Sequence, residues 1–203
     1  MRYNGDMDVF LDAGYMAGAA CLAKDRRARC RELGRVDKSA GKTKEELDAL
    51  ELLGAAGEMA FALAFNLNTD WGIRSGGADF ILPKKKTVDV KTVDTDWGNL
   101  LVNISAAHYD GYVLVENVGH IWDGRFVLRG WASGKEVRAT PVGEHFPDCH
   151  FLYRRELHGF NNSNCKNFLE GANRLELPAA RQSSPPPPLS EPAQSFRCAV
   201  PFA

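Results

Sequence analysis

The seven residues 87–93 contain side chains whose types and spacing could do chemistry. They read Thr-Val-Asp-Val-Lys-Thr-Val, an alternation that predicts a strand. Successive side chains of a strand point to opposite faces, so Asp89 and Lys91 share one face while Val88 and Val90 enter the core from the other. A carboxylate and an ammonium group side by side can hold a metal ion next to a polarised water molecule.

Two more acids precede this segment. Asp79 stands at the start of another short apolar run, 80–82. Glu58 is the only charged residue between positions 52 and 65, in a stretch that is apolar on every side and therefore predicts a helix buried all round. An unpaired ionised carboxylate would be very costly there. Glu58 must therefore be neutralised, paired with an Arg or a backbone amide, or bound to a cation.

The helix that carries Glu58 has a defined start. Thr43 is followed three residues later by Glu46, which is the capping-box pattern, and we predict the helix over about 43–67. Gly54 shares a helical face with Glu58, and both Gly54 and Gly57 leave room for another backbone to approach. The sequence thus predicts close packing around the buried acid.

The three acids would repel one another if they converge. At roughly 4 Å, each pair of carboxylates costs on the order of 4 kcal/mol at an effective dielectric constant of about 20. The cluster would therefore be partly protonated or would bind a cation. Carboxylates, together with water and phosphate oxygens, are the ligands that Mg²⁺ prefers.

An acid on a buried helix, an acid at the start of a strand and Asp-x-Lys on the next strand together resemble the PD-(D/E)XK nuclease superfamily. The likeness is to small phage-type members of the Holliday-junction-resolvase kind. It covers about residues 43–157, because the predicted strands at 111–118 and 126–131 look like the continuation seen in such members. One departure is Ala78, which precedes Asp79 where the motif name has Pro.

The resemblance implies a role for each motif residue. Glu58, Asp79, Asp89 and Lys91 would be catalytic. A Mg²⁺ or Mn²⁺ ion would be bound by the three acids and by the backbone carbonyl of Val90. Lys91 would orient the attacking water and stabilise charge on the scissile phosphate.

The resemblance also implies a fold. We expect an α/β (α+β) protein with a restriction-endonuclease-like core, in which helices flank a central mixed β-sheet. We divide the chain into an added N-terminal helix and basic linker (1–42), the nuclease-like core (43–160), an extension (161–177) and a disordered Pro-rich tail (178–203). Seven of the ten prolines fall in that tail, which has little to bury.

Hydrophobic periodicity and turn signals predict the remaining elements. A first helix should run from about residue 6 to 33, with Gly34 at its end. Ser133 and Glu136 repeat the capping-box spacing and predict a short helix. The predicted strands are 71–74, 78–82, 87–93, 99–104, 111–118, 126–131 and 149–157.

Charge is distributed unevenly along a chain of 203 residues whose net charge is −1. Residues 24–44 contain nine Lys and Arg against three Asp and Glu, and such a basic segment suits phosphate contacts, although a solvated helix face is the alternative. A lysine turn also links the two acid-bearing strands. The candidate nucleic-acid contacts are Arg26, Arg27, Arg29, Arg31, Lys84, Lys85 and Lys86.

Composition narrows the class of protein. The 44% hydrophobic and 25% charged fractions are those of a soluble globular protein. The five cysteines show no metal-type spacing and are odd in number, which argues against a zinc site or a disulfide framework. The apolar stretch 13–23 is too short to span a bilayer. We therefore expect a cytoplasmic protein with no membrane partner.

Two functions follow as expectations. The first is a Mg²⁺-dependent deoxyribonuclease that hydrolyses phosphodiester bonds of duplex or branched DNA, as an endonuclease or junction resolvase. The alternative is an inactive nuclease-fold module that binds nucleic acid or a protein partner. RNA as substrate, exonuclease action, a homodimer and a protein partner for the Pro-rich tail all stay open.

Overall fold

The computed structural model describes residues 5–34, 41–68, 77–106, 108–143 and 146–160. The strand predicted at 71–74 and the predicted segments 161–177 and 178–203 lie outside these ranges. The helices and strands in chain order are β1 (Met7–Phe10), α1 (Ala13–Glu32), α2 (Lys44–Ala64), β2 (Phe80–Ile81), β3 (Thr87–Val93), β4 (Leu100–Asn103), β5 (Gly111–Asn117), β6 (Arg125–Ser133), α3 (Gly134–Ala139), β7 (Val142–Gly143) and β8 (Phe146–Leu152).

The strands form two sheets. The larger sheet has the order β1-β6-β5-β3-β2, and its only parallel pair among the described strands is β3 with β5. The smaller sheet, β4-β8-β7, is antiparallel. The expected class, a mixed α/β protein with helices flanking a mixed sheet, is confirmed at this level. None of the described helices is long and apolar enough to cross a membrane.

The large sheet is covered on both faces, which is why β5 is buried along its whole length. Val88, Val90 and Val113 belong to the hydrophobic cluster that includes α1 and α2. On the opposite face, Tyr112 packs with residues of β4, β8 and α3, including Leu100. Alternate side chains of β5 therefore enter two different cores, as the period of a strand requires.

The start of the chain differs from our prediction of one helix from residue 6. Residues 7–10 form β1, which pairs antiparallel with β6, and α1 begins after Asp12, whose Oδ1 accepts a hydrogen bond from Tyr15 N at 3.0 Å. Met7 and Val9 pack on the core while Phe10 is exposed. This period-two alternation is the signal of a strand, and it overrides the helical interpretation.

The N-terminal segment is also part of the core. Strand β1 completes one edge of the large sheet, and α1 packs along α2. The strand and helix that precede residue 42 therefore pack against elements of the predicted core, and the division of the chain into four regions stays a prediction.

Most of the other predicted elements are present with shifted ends. The structure gives β3 the predicted bounds, and α2 begins after Thr43 with both hydrogen bonds of the capping box. The capping box of Ser133 likewise begins α3. The last strand is wrong in position: β8 ends at Leu152, and a 3₁₀ turn at Arg154–Glu156 follows because Glu156 caps it through Tyr153 N.

A buried ion network ties the sheet to its neighbours. Arg129 Nε and Nη2 donate to the two carboxylate oxygens of Glu116 at 2.8 and 2.7 Å, and Nη1 donates to Asp6 Oδ2 at 2.6 Å. Arg154 Nη1 lies 2.7 Å from Glu116 Oε2. These charges are almost inaccessible to solvent, so each depends on its partners.

Candidate functional site

The position of α2 against the sheet is set by a glycine. A Cβ atom at Gly57 would lie 2.8 Å from both the Cβ and the Cγ2 atoms of Thr92 on β3, and closer still to Oγ1. The helix backbone can approach the strand this closely only because residue 57 has no side chain. The same addition at Gly54 would meet nothing within 4 Å, so the close approach that we predict for both glycines occurs only at Gly57.

This approach brings Glu58 to the sheet, where it is paired with an arginine. Arg26 Nη1 and Nη2 of α1 donate to Glu58 Oε1 and Oε2 at 2.6 and 2.7 Å. The Glu58 side chain is 10% exposed and that of Arg26 is 23% exposed. The hydrogen bonds with Glu58 raise the pKa of Arg26. Of the partners that the sequence allows for the buried acid, the structure shows an arginine.

Asp79 lies beside β3, just before β2 begins. Its Oδ2 accepts a hydrogen bond from Val90 N at 2.7 Å. The N–H and C=O groups of one strand residue point to the same side, so the Val90 carbonyl faces this side as well. Burial, followed by the negative charges of Glu58 and Asp89, raises the pKa of Asp79 to about 8. At neutral pH this carboxyl group therefore holds a proton.

The Asp-x-Lys pair lies on the face of β3 that we predict. Asp89 is buried, Lys91 is half-buried, and Asp89 Oδ2 lies 2.7 Å from Lys91 Nζ. Burial acts to lower the pKa of Lys91, but the charge of Asp89, its hydrogen bond with Lys91 and the charge of Asp79 together outweigh burial and raise that pKa. Within the described residues, the ammonium group of Lys91 is the cation at close range that compensates the negative charge of Asp89.

Tyr109 is a further member of the cluster that sequence reasoning missed. It is buried, and burial together with the charges of Asp89 and Asp79 raises its pKa. The signal that could have found it is positional. Because β5 runs parallel to β3 with Gly111 opposite Val88, a residue just before β5 lies near the start of β3.

The cluster is acidic overall. It contains three carboxyl groups, those of Glu58, Asp79 and Asp89, against the two cations Arg26 and Lys91. With all three acids ionised, one negative charge would remain, and the proton on Asp79 removes it. In the described part of the chain, no three acidic, His or Cys side chains are arranged to hold a metal ion directly. The physical reason is that each carboxylate is turned towards a separate partner.

The predicted phosphate contacts do not form one group. Arg26 belongs to the cluster, whereas Arg27 is paired with Asp48 and also donates to Lys44 O at 2.9 Å. Arg29 lies 3.6 Å from Glu32 on its own helix. Arg31 lines a cavity of about 440 Å³ between α1 and α2.

The lysine turn closes the hairpin of β2 and β3. Phe80 pairs with Val88 and Ile81 with Thr87, so the turn of Lys84, Lys85 and Lys86 closes the hairpin at the end opposite to Asp79. Lys86 Nζ is 3.0 Å from Asp110 Oδ1. These lysines are exposed, and Asp110, the partner of Lys86, directly follows Tyr109 of the cluster.

Comparisons of the chain with known protein families, with functionally characterised proteins and with solved structures found no match. The site is therefore interpreted from its own geometry, as a half-buried acidic cluster at the edge between α2 and β3.

Proposed function

We propose that this protein is a metal-dependent nuclease that hydrolyses phosphodiester bonds of DNA. The observation that carries the proposal is the pairing of Asp79 with the backbone of Val90, beside Asp89 and Lys91 on the same strand. A half-buried acid held against the edge of a strand, next to an Asp-x-Lys pair, is the arrangement that the resemblance implies.

The residues fit a divalent cation in their charge and donor chemistry. Asp89 is buried with Lys91 Nζ 2.7 Å from its Oδ2, and burial, followed by the negative charges of Glu58 and Asp89, raises the pKa of Asp79 to about 8. Oxygen donors of this kind suit Mg²⁺ or Mn²⁺. Glu58, Asp79, Asp89 and the Val90 carbonyl would hold the ion, which when bound lowers the pKa of a coordinated water and stabilises charge on phosphate oxygens.

Lys91 would act on the phosphate. Its ammonium group is half-buried and held at 2.7 Å from Asp89, so it is fixed before a substrate arrives. A preorganised cation beside a phosphodiester stabilises the negative charge that develops as the bond breaks. Charge stabilisation of this kind lowers the barrier to reaction more than it strengthens substrate binding.

The second candidate is a module of the same fold that binds nucleic acid or a protein without cleaving it. One observation favours it: Glu58 is already neutralised by Arg26, and such a closed pair suits a structural role. Both candidates share the fold and the acids, and they differ in whether bonds are broken.

Single-turnover cleavage and binding of duplex and four-way-junction DNA would test the proposal. We expect cleavage with Mg²⁺ or Mn²⁺, none with EDTA, and binding with poor turnover with Ca²⁺, whose coordination is looser. Lys91→Ala should lower the cleavage rate by about 10²–10³-fold and leave DNA affinity nearly unchanged. Lys91→Arg keeps the charge and should retain part of the rate.

Lys135→Ala is the matched control, because it removes an exposed lysine of α3 that belongs neither to the candidate site nor to the candidate nucleic-acid contacts. It should leave the cleavage rate unchanged. Full activity in EDTA would rule out the metal mechanism. DNA binding without cleavage by the wild type, under every metal condition, would establish the non-catalytic module.

A further inference from the structure

Arg26 is the cation that holds the acid of the buried helix. It reaches from α1 across the helix pair, and its two terminal nitrogens contact both oxygens of Glu58. Asp79, when ionised, and Glu51 also act on the charge of Arg26, so it lies within the field of several acids. At 23% side-chain exposure, it is the more accessible member of the pair.

In this pair, each of the two carboxylate oxygens of Glu58 accepts a hydrogen bond from the guanidinium group. A bidentate arginine pair engages both oxygens along parallel hydrogen bonds. Arginine does not lose its proton in proteins, so a rise in pH cannot release Glu58. The guanidinium group occupies one lone pair of each oxygen and its positive charge repels a second cation, so a divalent cation would bind Glu58 more tightly if the guanidinium group moved away.

Arginine also has a second natural ligand. Its planar fork matches phosphate oxygens as well as it matches a carboxylate. A guanidinium group that leaves Glu58 while staying at the solvent-exposed edge of the cluster would be placed to contact a phosphate of the nucleic acid.

We propose that Arg26 is a positioning residue that exchanges with the divalent cation at Glu58 and then binds a substrate phosphate. This inference rests on the proposed function, because it needs both the metal and a phosphodiester substrate. Arg26 keeps the Glu58 carboxylate oriented until a metal ion binds to it. The guanidinium group that is then released makes a phosphate contact that exists only in the metal-loaded protein.

Calorimetric titration of the full chain with Mn²⁺ tests the exchange. Arg26→Ala should tighten Mn²⁺ binding by about 10- to 100-fold, the equivalent of the charge-assisted hydrogen bonds that no longer compete. Arg26→Lys, which keeps the charge but lacks the fork, should give a smaller gain. Arg29→Ala removes an exposed charge of the same helix and should change the Mn²⁺ affinity less than about threefold.

A double-mutant cycle separates exchange at Glu58 from general electrostatics. If the competition runs through that carboxylate, Arg26→Ala should have little effect on Mn²⁺ affinity in a Glu58→Gln background. An effect of equal size in both backgrounds would overturn the exchange. Equal Mn²⁺ affinity of the wild type and Arg26→Ala would overturn it as well.

Arg26→Ala leaves Glu58 buried without its partner, so its melting temperature should be measured with and without Mn²⁺. Mn²⁺ should raise that temperature more for the variant than for the wild type, because it replaces the missing cation. An equal rise would contradict the exchange. If Mn²⁺ binds to neither protein, the proposed metal-dependent function itself fails, and this outcome differs from metal binding that is insensitive to Arg26.

DNA affinity tests the phosphate contact. In EDTA, Arg26→Ala should bind DNA as the wild type does, since Arg26 is then occupied by Glu58. In Ca²⁺, the variant should bind more weakly, and the slope of its salt dependence should fall by about one. A loss of the same size in both conditions, or none in Ca²⁺, would refute the transfer of Arg26 to phosphate.

Discussion

Gly57→Ala tests how the candidate site is positioned. The added methyl group would lie 2.8 Å from Cβ and Cγ2 of Thr92, well inside the 3.4 Å at which ordinary van der Waals contact begins. Neither partner is the end of a flexible chain, because Thr is branched at Cβ and fixed in the strand. The helix or β3 must therefore shift.

Two opposing terms set the effect on stability. Overpacking of this kind costs about 1–3 kcal/mol, whereas replacing Gly with Ala inside a helix gains about 1 kcal/mol. Gly57→Ala should therefore be neutral to about 2 kcal/mol destabilising. At Gly54, where the methyl group meets nothing within 4 Å, only the gain applies, so Gly54→Ala should stabilise by about 1 kcal/mol.

The measurement is urea unfolding of both variants, with Mn²⁺ affinity as a second readout. The difference between them isolates the steric term, about 1–3 kcal/mol, or roughly 2–4 °C in melting temperature for each kcal/mol. Gly57→Ala should also weaken Mn²⁺ binding, because Glu58 is the next residue. Adding Thr92→Ala, which removes Oγ1 and Cγ2, should restore part of the loss.

Equal stabilisation by the two Gly→Ala substitutions would refute this reasoning. It would mean that α2 does not depend on a close approach at residue 57. Additive effects of Gly57→Ala and Thr92→Ala on the free energy of unfolding would also refute it, because residues in contact are expected to couple.

Two further predictions concern buried charges. The folded-state pKa of Asp79 is raised to about 8, so the folded chain binds more protons than the unfolded chain between about pH 4 and 8. The free energy of unfolding should therefore fall as pH rises through that window. Asp79→Asn should flatten the dependence of the unfolding free energy on pH in this range, and an unchanged slope would contradict the shift. Glu116→Gln breaks the buried pairs with Arg129 and Arg154 and should lower the free energy of unfolding in urea by about 3–5 kcal/mol. Glu32→Gln, in the exposed pair with Arg29, should change that free energy little. Similar losses for the two variants would contradict the structural role of the network.

The sequence is most informative where local rules act alone. The bounds of β3 follow from an alternating run that begins after a lysine turn, and α2 begins where Thr43 and Glu46 form a capping box. Both signals are confined to a few neighbouring residues. For that reason they could be recognised without knowledge of the fold.

The sequence is least informative where a partner is distant in the chain. Strand β1 has only four residues, and its partner β6 begins more than a hundred positions later. Its alternation is too short to outweigh the helical pattern that follows. The role of Arg26 could not be predicted for the same reason. Its pairing depends on how α1 packs on α2, whereas the pair between Arg29 and Glu32 is local.

The negative charges of the three acids of the cluster are compensated in three different ways. This difference determines which of the acids a cation can bind most readily. Glu58 is held by a guanidinium fork and Asp89 by an ammonium group on its own strand. Asp79 has a backbone amide and, at neutral pH, a proton. A proton is lost as pH rises, but an arginine is not. A divalent cation should therefore displace the Asp79 proton first, and its apparent affinity should rise by up to about tenfold per pH unit below pH 8.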